Sequence, residues 1–230
     1  IMTNLTLNLI RPYDIKGEYI RYGNKSDGGY ILNKDYINNL EVLYSYGIAD
    51  EISFEKDFLQ NNPNCKAHLY DHTINIFPEI NGNVFKHKEG LNYKKDKDTD
   101  NFLNHISINN DQDKNIILKM DAEGAELDFF NFTDLSLFNK VNQMIVEFHT
   151  AGDNFLKFLN AITRINHYFY CAHIHQNNCG GHYSLDLIEC TFINKKSVTY
   201  VPEIKVCNYP IQGLDYPNCE NNPVLGINYK

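Results

Sequence analysis

The sequence predicts an α/β fold: a mostly parallel sheet with helices on both faces, closed by an antiparallel strand pair, in a single domain over residues 1–230. Three observations carry this. Short β-branched apolar runs such as Ile116, Ile117 and Leu118 lack polar alternation, as strands covered on both faces require. These runs alternate with segments of helical spacing, among them 50–61 and 155–165. In the last third, strands at 168–174 and 185–193 follow one another with no helix between, and a direct return makes such a pair antiparallel.

Taken in order, residues 1–15 read as an irregular or short-strand lead-in. The stretch 21–32, RYGNKSDGGYIL, alternates around a turn at Asp27, Gly28 and Gly29 and reads as a hairpin. Helical material over 34–40 leads to a strand at 42–46 that stops at Gly47. Residues 50–61 place Ile52, Phe54, Phe58 and Leu59 at roughly helical intervals, with acids in the first turn. A strand at 66–70 ends at Asp71, His72 and Thr73, and another at 84–87 has Gly90 beyond it. The polar run 94–114 holds one apolar cluster around Phe102 and Ile106, hence a short helix. The fourth strand, at 116–120, stops abruptly at Asp121, Glu123 and Gly124, and a helix over 125–138 follows. A fifth strand at 143–148 precedes the amphipathic helix 155–165. HIHQNNCGGHY reads as a loop between the last two strands. Beyond Val198, Pro, Asn and Tyr predict an ordered but irregular tail of the same domain.

Composition narrows the function. A net charge of −8 argues against a nucleic-acid partner, which needs a basic face to release counterions. Six cysteines without a CxxC pair spell neither a zinc ribbon nor a redox motif, and read mainly as buried thiols of a reducing cytoplasm. No stretch approaches the ~20 apolar residues of a membrane span, and the N-terminus lacks signal-peptide character. A soluble, cytoplasmic protein is expected.

The ends of the strands collect the reactive side chains. Open α/β sheets bind ligands beyond the carboxyl ends of their strands. Gly47 would let the backbone approach a cofactor, and Asp71, at the next strand end, stands where an acid grips ribose hydroxyls; a plain tight turn and a turn acid would look the same. Asp121, Glu147 and His149 converge as mixed oxygen and nitrogen donors suited to Mg²⁺, Mn²⁺ or Fe²⁺, or equally as a hydrogen-bonded acid and histidine pair at a cleft rim. His173 and His175 share a face and are followed by Asn177 and Asn178 and a Gly180–Gly181 turn, a ligand-facing loop with a candidate general base. Glu189, inside an apolar strand, must be paired. There is no GxSxG elbow, no phosphate loop, and no full dinucleotide fingerprint, which leaves methyl transfer.

LKMDAEGAE resembles the LKxDxEGAE signature of the FkbM-type S-adenosylmethionine-dependent methyltransferases. DGGYIL, SYGIADEISFE, YDHT, VEFH, HIHQNN and IECTFIN resemble accompanying blocks, in order over about residues 20 to 195. The glycine-rich loop common in class I enzymes is reduced here to YGIAD. The resemblance implies a Rossmann-like class I methyltransferase fold with a seven-stranded sheet. It implies that Gly47, beside Tyr46 and Glu51, passes beneath the methionine part of S-adenosylmethionine. Asp71 and His72 would hold the ribose, and Gly90 would lie near the adenine. Asp121 and Glu123 would border the sulfonium, with Asp27 and Gly28 closing over the cofactor. Enzymes similar to this family methylate sugar hydroxyls, some with a metal at positions matched by Asp121 and Glu147, with His149 in place of a second acid. The expected activity is O-methylation of a sugar, nucleotide-linked or a capsule or surface-polysaccharide precursor. Mn²⁺ or Mg²⁺ would assist, Glu123 would border the chemistry, and His175 or His173 would take the proton. Metal-independent N- or C-methylation of another metabolite and an inactive cofactor-binding module remain alternatives. The Tyr-rich tail offers a face for a homodimer.

Overall fold

The computed structural model describes residues 2–180 and 185–230. The chain opens with a helix, α1 (Met2–Leu9), and not with the irregular lead-in expected from its polar sequence. Leu7 and Leu9 pack against the main core, and such tertiary burial stabilises a short helix that propensity alone would not. The expected hairpin follows, β1 (Tyr19–Tyr22) against β2 (Tyr30–Asn33), with Tyr22 opposite Tyr30. Only one 3₁₀ turn, Lys34–Tyr36, stands where helix was expected over 34–40. Asn33 starts it by accepting a hydrogen bond from the Asp35 amide at 3.1 Å.

Strand β3 (Val42–Tyr46), helix α2 (Ser53–Asn61), strand β4 (Lys66–Tyr70) and strand β5 (Val84–His87) come next. Two short strands, β6 (Gly90–Leu91) and β7 (Thr99–Asp100), pair with each other ahead of α3 (Phe102–Ile108). Strand β8 (Ile116–Asp121) leads to α4 (Ala125–Phe132). This helix stops six residues before its expected end, because Thr133 is extended and Asp134 caps a separate 3₁₀ turn through the Ser136 amide at 3.0 Å. Strand β9 (Val141–His149), helix α5 (Asn154–Tyr168), strand β10 (Phe169–Gln176) and strand β11 (Leu187–Asn194) complete the main body. In the tail, β12 (Cys207–Tyr209) pairs with β13 (Ile227–Tyr229).

Seven strands form one sheet in the order β10-β11-β9-β8-β3-β4-β5. Neighbours from β5 to β9 run parallel, and β11 is antiparallel to both β9 and β10. The sheet is therefore mixed, where a mostly parallel one was expected. Strand order reverses between β3 and β8, opening a crevice at their carboxyl ends. Alternation along the strands divides the core. Tyr44, Leu118 and Met144 pack on one face with α4 and α5 residues such as Phe129 and Phe158, while Leu43, Ile117 and Ile145 pack on the other with Phe54 and Phe58 of α2. Residues 175 and 176, beyond the expected strand end, also belong to β10, where His175 pairs with Glu189 and Gln176 with Ile188. Hydrogen bonding to β11 overrides their polar character.

Two cysteines depart from the expected thiols: Cys179 and Cys219 form a disulfide, with Cα atoms 5.4 Å apart. The tail folds back over the end of β10, so residues 40 apart in sequence meet. Cys65, Cys171 and Cys190 are buried thiols as expected. Among the described residues, no helix is long and apolar enough to cross a membrane.

A buried polar network lies along β3 and β4. Tyr44 donates to Asp111 at 2.8 Å, Lys66 pairs with the same carboxylate, and His68 Nδ1 lies 2.8 Å from His87 Nε2. Burial, the largest effect, pushes His68 and His105 down to about 4. The unfolded chain therefore binds more protons between their ordinary value near 6.5 and 4, so stability must fall as pH drops through that window. His149 and His175, whose pKa values are raised, act in the opposite sense above it. Thermal melts at pH 7 and pH 4.5 should differ by about 5 °C or more, with the acid sample less stable. Equal midpoints would show that these histidines titrate normally.

Candidate functional site at the strand ends

The turn after β3 is built around Gly47. Its φ is +71°, and a Cβ there would lie 1.5 Å from the carbonyl oxygen of Asp121, so only glycine fits. The close approach brings the ends of β3 and β8 together. Lys119, buried on β8, donates to the Gly47 carbonyl at 2.9 Å and lies over the ring of Tyr30. Two residues on, Ala49 also has positive φ, and its amide donates to Asp71 Oδ2 at 2.8 Å. Asp71 Oδ1 accepts from the amide and hydroxyl of Thr73. Burial pushes the Asp71 pKa up, but hydrogen bonds from Thr73 and the Ala49 backbone outweigh it, and the group remains an anion below its ordinary range.

These turns enclose a cavity of about 210 Å³. Tyr46, Gly47, Asp71, His72, Gly90 and Asp121, which the resemblance groups together, all line it, together with Leu91 and Glu123. Gly90 fits closely too, since a Cβ there would meet the His72 ring at 2.6 Å. Gly28 and Glu51 lie outside. Gly28 packs on the Glu51 side chain, whose carboxylate accepts from Asn24 Nδ2 and the Ser53 amide, tying the hairpin turn to the start of α2.

A second cavity, of about 370 Å³, shares Asp121 and Glu123 with the first. Asp27, Glu147, His149 and Asn177 line it, so Asp27, expected to close over a cofactor with Gly28, faces this cavity and not the first. Glu123 itself has φ of +50°, an uncommon conformation for a side-chain-bearing residue, and its side chain is 88% exposed. His149 connects the acids. Its Nδ1 lies 3.0 Å from Glu126 Oε1 and its Nε2 3.3 Å from Glu123 Oε2, while its amide also donates to Glu126. Burial disfavours the imidazolium, but the fully buried Glu126 prevails and holds the His149 pKa above its ordinary value. Asp121, Glu123 and His149 place one ligand atom each within 4.8 Å of one another. Glu147, expected as a metal ligand, stands outside that group. It accepts from Asn177 at 3.1 Å, and burial, then Asp121, Glu189 and Asp27, push its pKa well up.

The structure does not bring His173 and His175 to either cavity. Both are buried beneath the tail. His173 Nε2 lies 2.8 Å from Asp215, and His175 bridges Asn218 at 2.9 Å and Asp215 at 3.4 Å. Burial lowers the His173 pKa; for His175 burial is outweighed by Glu189 and Asp215, which raise it. Glu189 is paired as expected, accepting from Asn218, which also donates to Asp27. Asn177 reaches the second cavity, whereas Asn178 is spent on the backbone of Cys219 and Asn222; Gly181 lies outside the described residues. Tyr30, Lys119, Asp215 and Asn218 carry weight that the sequence reading did not assign, and Glu126, read only as one of three acids at this strand end, acts through His149. Glu126 had a signal, since it is apolar-flanked at the second position of α4. Asp215 and Asn218 had none, because only folding brings the tail to β10.

No family model, no curated protein and no solved structure matches this chain.

Proposed function

We propose that the chain is an S-adenosylmethionine-dependent methyltransferase of Rossmann-like class I architecture, acting on a hydroxyl of a sugar. One observation carries the reading: a cavity at the ends of β3, β4 and β8 shares its Asp121 and Glu123 wall with a second, polar cavity. Two ligands held there would meet at that wall. When bound, S-adenosylmethionine supplies a methyl on a sulfonium, which leaves as a neutral thioether as the acceptor oxygen takes the methyl. Gly47 lets the backbone pass beneath such a ligand, and Asp71 Oδ2 keeps an acceptor site for a ribose hydroxyl. Asp121 and Glu123 favour a positive charge between the cavities.

His149, and not His173 or His175, is the base this geometry supports. His149 lines the second cavity and Glu126 holds its Nδ1, so Nε2, 3.3 Å from the exposed Glu123 carboxylate, is the atom at which the ring would take the hydroxyl proton. A second reading is favoured by the Asp121, Glu123 and His149 grouping, which fits a divalent cation such as Mn²⁺ or Mg²⁺, with Glu126 orienting the imidazole behind it. There the cation would act as a Lewis acid on the acceptor hydroxyl. Nε2 can serve a proton or a metal, not both.

Calorimetric titration of chelator-treated protein with S-adenosylhomocysteine, with and without Mn²⁺, tests both. Micromolar binding is expected, and Asp71→Asn should weaken it about tenfold through loss of a charge-assisted hydrogen bond. Absence of binding under both conditions would sink the methyltransferase reading.

A further inference from the structure

Asp121 ends β8 on the wall shared by both cavities, and its carboxylate is held differently from that of Asp71. Asp71 accepts two backbone amides and a hydroxyl from the turns around it. Asp121 accepts no amide. Among the described residues its one hydrogen bond comes from the Tyr30 hydroxyl, 3.1 Å from Oδ2 and 91 positions away in sequence. Its cross-strand neighbour on β9 is another acid, Glu147, whose pKa is raised by burial and then by Asp121. Such like-charge repulsion turns a carboxylate aside unless a donor fixes it. Tyr30 is itself tightly set. It is 4% exposed on β2, its ring meets Phe54 edge-on at 5.5 Å, and Lys119 lies over its face at 5.1 Å while donating to the Gly47 carbonyl. Burial, then Asp121, raises its pKa well above the ordinary value, so the phenol keeps the proton that it donates. Oδ1 of Asp121 is the oxygen left to a ligand.

We propose that Tyr30 is a positioning residue: by donating to Oδ2 it aims the Asp121 carboxylate at a positive charge between the two cavities, which is the sulfonium in the methyltransferase reading on which this role rests. Tyr30 lines neither cavity and acts only through Asp121. A neutral donor suits the task, because it fixes the carboxylate without cancelling its charge. Transfer of the methyl leaves a neutral thioether, so an aimed Asp121 favours the charged cofactor over the spent product. The hairpin, remote in sequence from the strand ends, thereby helps the cavity to exchange one for the other.

The test is calorimetric titration of the whole protein, in chelator, with S-adenosylmethionine and with S-adenosylhomocysteine. It compares the parent with Tyr30→Phe, Asp121→Asn and the double variant. Phenylalanine keeps the ring against Phe54 and beneath Lys119 and removes only the hydroxyl. Tyr30→Phe should weaken S-adenosylmethionine about tenfold and leave S-adenosylhomocysteine within about twofold, because only the first carries the charge. Asp121→Asn should do likewise, and the double variant should bind no more weakly than Asp121→Asn alone, as one residue acting through another requires. Tyr22→Phe, opposite Tyr30 in the hairpin, is the control and should leave both affinities unchanged. Equal losses for the two ligands in Tyr30→Phe would reduce Tyr30 to a structural residue and overturn the proposal. An unchanged affinity ratio, or additive losses in the double variant, would overturn it too. Each of those results leaves the methyltransferase reading standing, whereas failure of the parent to bind either ligand removes that reading and the role of Tyr30 with it.

Discussion

Gly47→Ala should abolish S-adenosylhomocysteine binding and destabilise the protein by more than about 3 kcal/mol, the largest effect expected of any single methyl group here. Two penalties combine. The added Cβ would overlap the Asp121 carbonyl at 1.5 Å, and φ of +71° is unfavourable for alanine even in open space. Relief requires β3 and β8 to separate at their carboxyl ends, which is where both cavities have their common wall. Gly213→Ala is the matched control: its φ is +82°, but nothing lies within 4 Å of a Cβ there. That variant should lose only about 1 kcal/mol and keep full ligand binding. Denaturant melts and calorimetry on the pair measure both effects. Retained binding in Gly47→Ala would mean that the turn does not shape the first cavity for that ligand.

Glu126→Gln should reduce methyl transfer about a hundredfold while leaving S-adenosylhomocysteine binding within a few-fold of the parent. Glu126 touches neither cavity and acts as a positioning residue. Its carboxylate accepts from the His149 ring, the His149 amide and the Gly124 amide, and a glutamine must turn an NH₂ group towards one of these donors. The pH profile separates positioning from simple misfolding. Glu126 raises the His149 pKa, so removing its charge must lower that pKa, and the rise of kcat/KM with pH should move to lower pH. An unchanged profile with reduced rate would remove His149 as the base. If His149 instead binds a cation, the same substitution should weaken Mn²⁺ binding by about 10- to 100-fold.

Much of this site was legible because it lies where strand ends and glycines coincide. Each of the stretches 42–46, 66–70 and 84–87 is an apolar or aromatic run bounded by a turn residue, and the structure has strands with those bounds. Gly47 and Asp71, the first residues after β3 and β4, and Asp121, the last of β8, follow from position alone, since a parallel sheet puts its strand ends at the same edge. The histidines misled for a different reason. HIHQNN looks like a ligand-facing loop because its polarity is local, while its partners, Asp215 and Asn218, are some 40 residues away. Periodicity reports which face a residue shares, not what arrives later to cover that face. The helix at Met2–Leu9 and the Cys179–Cys219 link were hidden likewise, being set by contacts with distant segments. His149 was visible, but its contacts were not, because Glu126 reaches it from the preceding helix, α4, 23 residues earlier.

The tail that covers His173 and His175 also imposes an order on biosynthesis. Asp215 and Asn218 supply hydrogen-bond partners to His173, His175, Glu189 and Asp27, groups from β10, β11 and the hairpin turn. Until those two residues leave the ribosome, the two imidazoles and the Glu189 carboxylate lack both these partners and the cover that buries them, so that edge of the sheet stays open to water. The first cavity, built from residues 46–125, has no such dependence. A nascent chain would thus complete its two cavities in sequence, the one at the ends of β3, β4 and β8 first and the acid-lined one only once Asn218 has arrived.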